Sequence, residues 1–167
     1  AFGLKPNSKL GSNVNSEGTT EYSIASGASG NIFSGDPVKM MNTGTILVAA
    51  AGDQLLGVFR GCRYTNSSGE VIYSSYWPNG TVSSDAVAFV VDDPNALFEV
   101  QSAATGSVVQ TVVGNNADIV YASGSTSDGQ SGVEISGTTA ATSAQLRIVG
   151  FSGDPENNTL GTGSQSA

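Results

Sequence analysis

Apolar and polar residues alternate over short stretches along most of the chain, and turn-forming residues separate those stretches. The runs are YSIA (22–25), PVKMMN (37–42), TILVAAA (45–51), QLLGVFRGCRY (54–64), EVIYSSYW (70–77), AVAFVVDD (86–93), ALFEVQS (96–102), ADIVYAS (117–123), GVEIS (132–136) and QLRIVGFS (145–152). Successive strand residues point to opposite faces, so a period of two marks a strand with one face inside. Asn42-Thr43-Gly44, Pro78-Asn79-Gly80, Asp92-Asp93-Pro94-Asn95 and Asp128-Gly129 lie between runs. They supply a positive φ, a preset φ or a local side-chain hydrogen bond, each of which reverses the chain. About nine or ten short strands follow, a pattern that favours an all-β sandwich or barrel over a parallel α/β sheet.

One segment has another period. In TGSVVQTVVG, Val108, Val109, Val112 and Val113 recur at helical spacing behind Thr105 and Ser107 and before Gly114. This predicts one short helix at most, although four β-branched residues also suit a strand. The ends differ from the middle. Residues 1–21 are polar and rich in Gly, Ser and Asn, with apolar side chains only at Phe2, Leu4, Leu10 and Val14. Such a segment cannot offset its own chain entropy, so it is expected to be a flexible N-terminal arm that orders on a partner. Residues 22–152 form the expected β domain, and residues 153–167 a polar C-terminal tail.

Composition narrows the function. Only 12% of the residues are charged and 22 of 167 are Gly, which leans away from helix. The formal charge of -8 repels phosphate backbones, so nucleic acid is not expected as a partner. No stretch approaches the roughly 18 apolar residues of a membrane span. Ala1 is not followed by a charged leader and an apolar signal core, so the expectation is a soluble, untargeted chain with no membrane contact. The single cysteine, Cys62, rules out an intramolecular disulfide and a Cys-rich zinc site.

Candidate chemistry is sparse. The chain has no histidine, which removes Ser-His and Cys-His catalysis and the commonest metal ligand. Lys39 lies near many serines but reads as a solvated strand lysine. Asp92 and Asp93 sit in a turn sequence, a poor setting for a glycosidase pair. The oxygen-rich turns at 92–95 and 124–129 lack the spacing of a calcium loop, so no metal or cofactor is expected. Cys62 has Arg60 and Arg63 nearby, which favours a thiolate, but without a partner base it reads as a small core residue. Trp77, Tyr76 and Tyr73 either form a sugar-stacking platform or cover the core from a hairpin. No enzyme is indicated.

Two stretches carry a family resemblance. IASGASGNIFSGDPVKMMNTGTILVAAAGDQLLGVFRG (24–61), with its GDPV strand start, NTGT turn and GDQLLGVFRG strand, resembles head and decoration proteins of tailed bacteriophages. DIVYASGSTSDGQSGVEISGTTAATSAQLRIVGF (118–151) resembles capsid-associated proteins of podovirus-like phages. The resemblance implies a small β-barrel or β-tulip-like capsid decoration (cement) protein on the outer surface of an icosahedral shell. It further implies a homotrimer whose partner is the major capsid protein, reached by the N-terminal arm. The residues expected to touch the coat are Phe2, Leu4, Lys5, Lys9 and Leu10, whose few spaced apolar anchors suit strand addition to an exposed sheet edge. The alternative is a receptor- or glycan-binding β module of a virion or cell surface.

Overall fold

The computed structural model describes residues 1–11, 18–104, 108–140 and 143–153. The strands in chain order are β1 (Lys5–Lys9), β2 (Thr20–Ile24), β3 (Ile32–Phe33), β4 (Pro37–Met40), β5 (Thr45–Val48), β6 (Gly57–Thr65) and β7 (Val71–Ser74). They continue with β8 (Tyr76–Trp77), β9 (Val87–Val91), β10 (Ala96–Glu99), β11 (Asn116–Ala117), β12 (Ile119–Val120), β13 (Glu134–Ile135) and β14 (Leu146–Arg147). The protein is all-β, as the period-two pattern predicts. The expected helix reduces to one 3-10 turn, Gln110–Val112. Its predicted start at Thr105 and Ser107 lies outside the described residues, as does the tail from residue 154 onward.

Five strands close into a barrel in the order β4-β5-β2-β9-β6, with β6 pairing back onto β4, and β7 adds to the free side of β6. All of these contacts are antiparallel except β2 with β5. Inside lie Ile24, Val38, Ile46, Phe59, Cys62, Tyr64, Ala88 and Val90. β3 and β8 pair with each other and bring Ile32 and Trp77 into this core. Trp77 meets Tyr64 edge to face, with ring centroids 5.3 Å apart.

The long strand β6 serves two cores and changes parity along its length. Phe59 pairs with Val90, but the next partner, Phe89, faces Gly61, so Arg60 is an extra residue in a β-bulge. Without that insertion the inward set begun at Phe59 would continue at 61 and 63. With it, Cys62 and Tyr64 point inward and Arg60 stays exposed. Val58, one residue before Phe59, faces the opposite way into a second core with Leu4, Ala49, Val100, Ala117, Ile119, Val133, Ile135 and Ile148. The ladders β1–β10, β11–β14 and β12–β13 cover this second core.

Residues 1–11 correct the expectation of a free arm. They lie on the domain: β1 pairs antiparallel with β10, from Lys5 opposite Glu99 to Lys9 opposite Ala96. Leu4 is buried in the second core, and its backbone N–H donates to Gly35 O at 2.9 Å. The cause is the edge of β10, which has no other strand partner among the described residues and so accepts the polar segment's backbone while Leu4 fills an apolar slot. Gly3 makes the close approach possible. It has φ 70°, and a Cβ there would stand 2.5 Å from Ser131 Cβ and 2.7 Å from Gly35 O. Residues 12–17 of the expected arm lie outside the described residues.

Candidate functional site

The residues expected to meet a coat protein are not equivalent. Leu4 is committed to the core and Phe2 is half-buried. Lys9 forms an ion pair with Asp93. Lys5 and Leu10 remain exposed. Leu10 borders an apolar groove of about 600 Å³ that Leu55, Phe98, Leu146, Ile148 and Phe151 also line. Val149, half-exposed, lies on the same groove. The groove can take apolar side chains. Its acidic neighbours are occupied elsewhere: Asp93 holds Lys9, and Glu99 accepts a hydrogen bond from the Ser152 hydroxyl.

Asp92, Asp93 and Asp128, weighed in the sequence as possible chemistry, serve loops and strand ties, as do Asp53, Asp85 and Asp118. Asp92 accepts from Thr20 Oγ1 at 3.0 Å and from Tyr22 Oη at 2.7 Å. Asp93 accepts the Asn95 N–H at 2.8 Å, which makes it the cap of its own turn. Asp128 accepts the Gln130 N–H and Asp118 the Gln145 N–H, each at 3.1 Å. Asp53 accepts the Ala50 N–H and the Lys39 ammonium, each at 2.7 Å. Lys39 is thus paired, not simply solvated. Asp85 takes three donors, Thr65 N–H, Thr65 Oγ1 and Ser83 Oγ, and the hydroxyls lead in pulling its pKa down to about 2. Among the described residues no three Asp, Glu or Cys side chains converge on one point.

Asp36, in the GDPV strand start, stands apart. Its side chain has no solvent exposure. One carboxyl oxygen accepts the Phe33 N–H at 2.8 Å, while Oδ1 has no partner of good geometry among the described residues. Burial raises its pKa, and the Ser131 hydroxyl and the Phe33 N–H offset that only in part. Its backbone pins β4 to β6, since Phe59 N–H donates to Asp36 O at 2.9 Å. The group acts as a buried tie beneath the docked N-terminal segment.

Cys62 is buried, its thiol donating to Tyr76 O at 3.4 Å, and burial pushes its pKa up to about 12. Arg60 and Arg63 therefore do not make it a thiolate. Trp77 is 0% exposed, and Tyr76 stacks on Phe33 at 5.6 Å between centroids, so of the three aromatics only Tyr73 stands free. Trp77 covers the core as the hairpin reading expects, but not from a hairpin, since β8 pairs with β3, and the sugar platform is not assembled. The feature that sequence reasoning missed is the edge position of β7, where Val71 and Tyr73 are exposed at 55% and 73% on a strand with one neighbour among the described residues. The alternation in EVIYSS signals it, once the strand is known to be an edge.

The fold thus defines a class, a small closed β-barrel backed by a second β layer. No protein-family model, curated protein or solved structure matches the chain.

Proposed function

We propose that the protein is a capsid decoration protein that binds the outer surface of a tailed-bacteriophage shell and stabilises it. The observation that supports this most is where the two resembling stretches fall. Residues 24–61 supply β3, β4, β5 and the first half of β6, and residues 118–151 supply β12, β13 and β14. The likeness therefore includes strands that wall both cores, together with the loops that join them. The commitment of the aspartates to the fold's own donors suits a rigid binding scaffold. Binding only the assembled lattice lowers that state's free energy by mass action, multiplied by the number of sites on the shell.

The contact surface that remains open near the N-terminus is Lys5, Leu10 and the groove beside Val149. Cosedimentation with expanded shells stripped of their own decoration protein tests the reading. Saturable binding is expected, with a loss of about tenfold for Leu10→Asp, equivalent to about 1.4 kcal/mol. Absence of cosedimentation at saturating protein overturns the assignment.

A further inference from the structure

We infer that β7 is a self-pairing edge and that two copies of this chain join across it on a two-fold axis. Barrel closure leaves β7 as the one strand of the six-stranded sheet with an open side among the described residues. Its backbone alternation is fixed by the hairpin before it. Asn66 N–H donates to Glu70 O at 2.9 Å and Gly69 N–H to Asn66 O at 3.0 Å, a three-residue loop with Gly69 at φ 82°. With Tyr64 opposite Ile72 and Cys62 opposite Ser74, alternation directs Ile72 and Ser74 backbone groups toward β6. The N–H and C=O of Val71 and Tyr73 therefore point to the open side.

Edges that must stay single are guarded by Lys, Pro, a bulge or an inward charge. The β7 sequence VIYS has none of these. It is instead self-complementary. A two-fold axis through Ile72 sets Val71 opposite Tyr73 of the second copy in both halves, with each of these pairs exchanging two backbone hydrogen bonds. The side chains then form two aromatic–β-branched pairs, a favoured cross-strand combination. No charge lies among the paired residues 71–73, and Glu70 falls only at each end, opposite Ser74 of the second copy, so the net charge of -8 opposes association mainly at longer range, where salt screens it. An edge met by its own copy closes the contact and leaves no edge for a third subunit, so this pair replaces the homotrimer that the family resemblance implies. The inference does not depend on shell binding.

Sedimentation velocity and native mass spectrometry of the full chain over a wide concentration range test it. A monomer–dimer equilibrium that shifts toward dimer with added salt is expected. Tyr73→Pro removes an outward N–H without touching the β6 ladder, and the Val71→Lys/Tyr73→Lys double variant charges the seam at two exposed positions. Both are expected to remain monomeric at concentrations where the wild type is dimeric, with thermal midpoints close to wild type. A wild type that is monomeric throughout or trimeric, or a dimer that survives the double lysine variant, overturns the proposal. A monomeric wild type whose shell binding fails in the β7 variants would assign the edge to the coat protein instead and likewise overturn it.

Discussion

Two carboxylates respond to pH in opposite directions, because one is buried and the other is exposed among donors. Asp36 is raised above its ordinary value of 3.8 by burial, so its contribution is fully present below that value and is lost as pH rises through the higher folded-state pKa. Asp85 is lowered to about 2, so its contribution is present above 3.8 and is lost as pH falls toward 2. Urea midpoints measured across acid and neutral pH should separate the two. Asp36→Asn is expected to be more stable than wild type near neutrality and to lose the decline on the rising side. Asp85→Asn should flatten the acid side and leave the rising side unchanged. Asp36→Asn that is destabilised equally at every pH would mean that the carboxylate is a needed acceptor and its burial cost is small.

At the scale of elements, the N-terminal strand shows how tertiary context overrides local composition. KPNSK has no apolar residue and a weak strand propensity, yet β10 offers an unpaired ladder and the second core offers a slot for Leu4. Leu4→Ala is therefore expected to cost about 2 to 5 kcal/mol in denaturant unfolding. Leu10→Ala, half-exposed, should stay within about 0.5 kcal/mol. Similar small effects at both positions would return residues 1–11 to the status of a loosely held arm. The strands with internal alternation were legible in the sequence: the runs around β2, β4 to β7, β9 and β10 coincide with observed strands. β1 and β3 were not, because their pairing partners β10 and β8 lie more than forty residues away. The bulge at Arg60 was legible only in part: the apolar residues of FRGCRY at 59, 62 and 64 break the period of two, but only pairing with Val90 and Phe89 places the extra residue. Of the candidate site residues, the exposure of Leu10 was legible from polarity around it, whereas the burial of Leu4 depended on Gly3 meeting Ser131.

For the molecule as a whole, the two cores form one mechanical unit. Val58 and Phe59 are consecutive on β6 but belong to different cores, and Ala49 follows β5 directly into the second core. Melting the second core would expose the outer face of the strands that wall the first and would free the Asp36 tie between β4 and β6. Long-range ladders reinforce this, since β1 reaches β10 and Ser34 bridges to Gln130. Cooperative, all-or-none unfolding is the consequence. Trp77, the only tryptophan, sits with no exposure in the first core and so reports on it by fluorescence. Ile119 is buried in the second core, and Ile119→Ala should lower stability by about 2 to 5 kcal/mol. The loss should appear in full in the Trp77 transition, coincident with far-ultraviolet circular dichroism and with an unchanged denaturant slope. A Trp77 midpoint that does not move while circular dichroism loses part of its signal early would show that the second layer melts alone on an intact barrel.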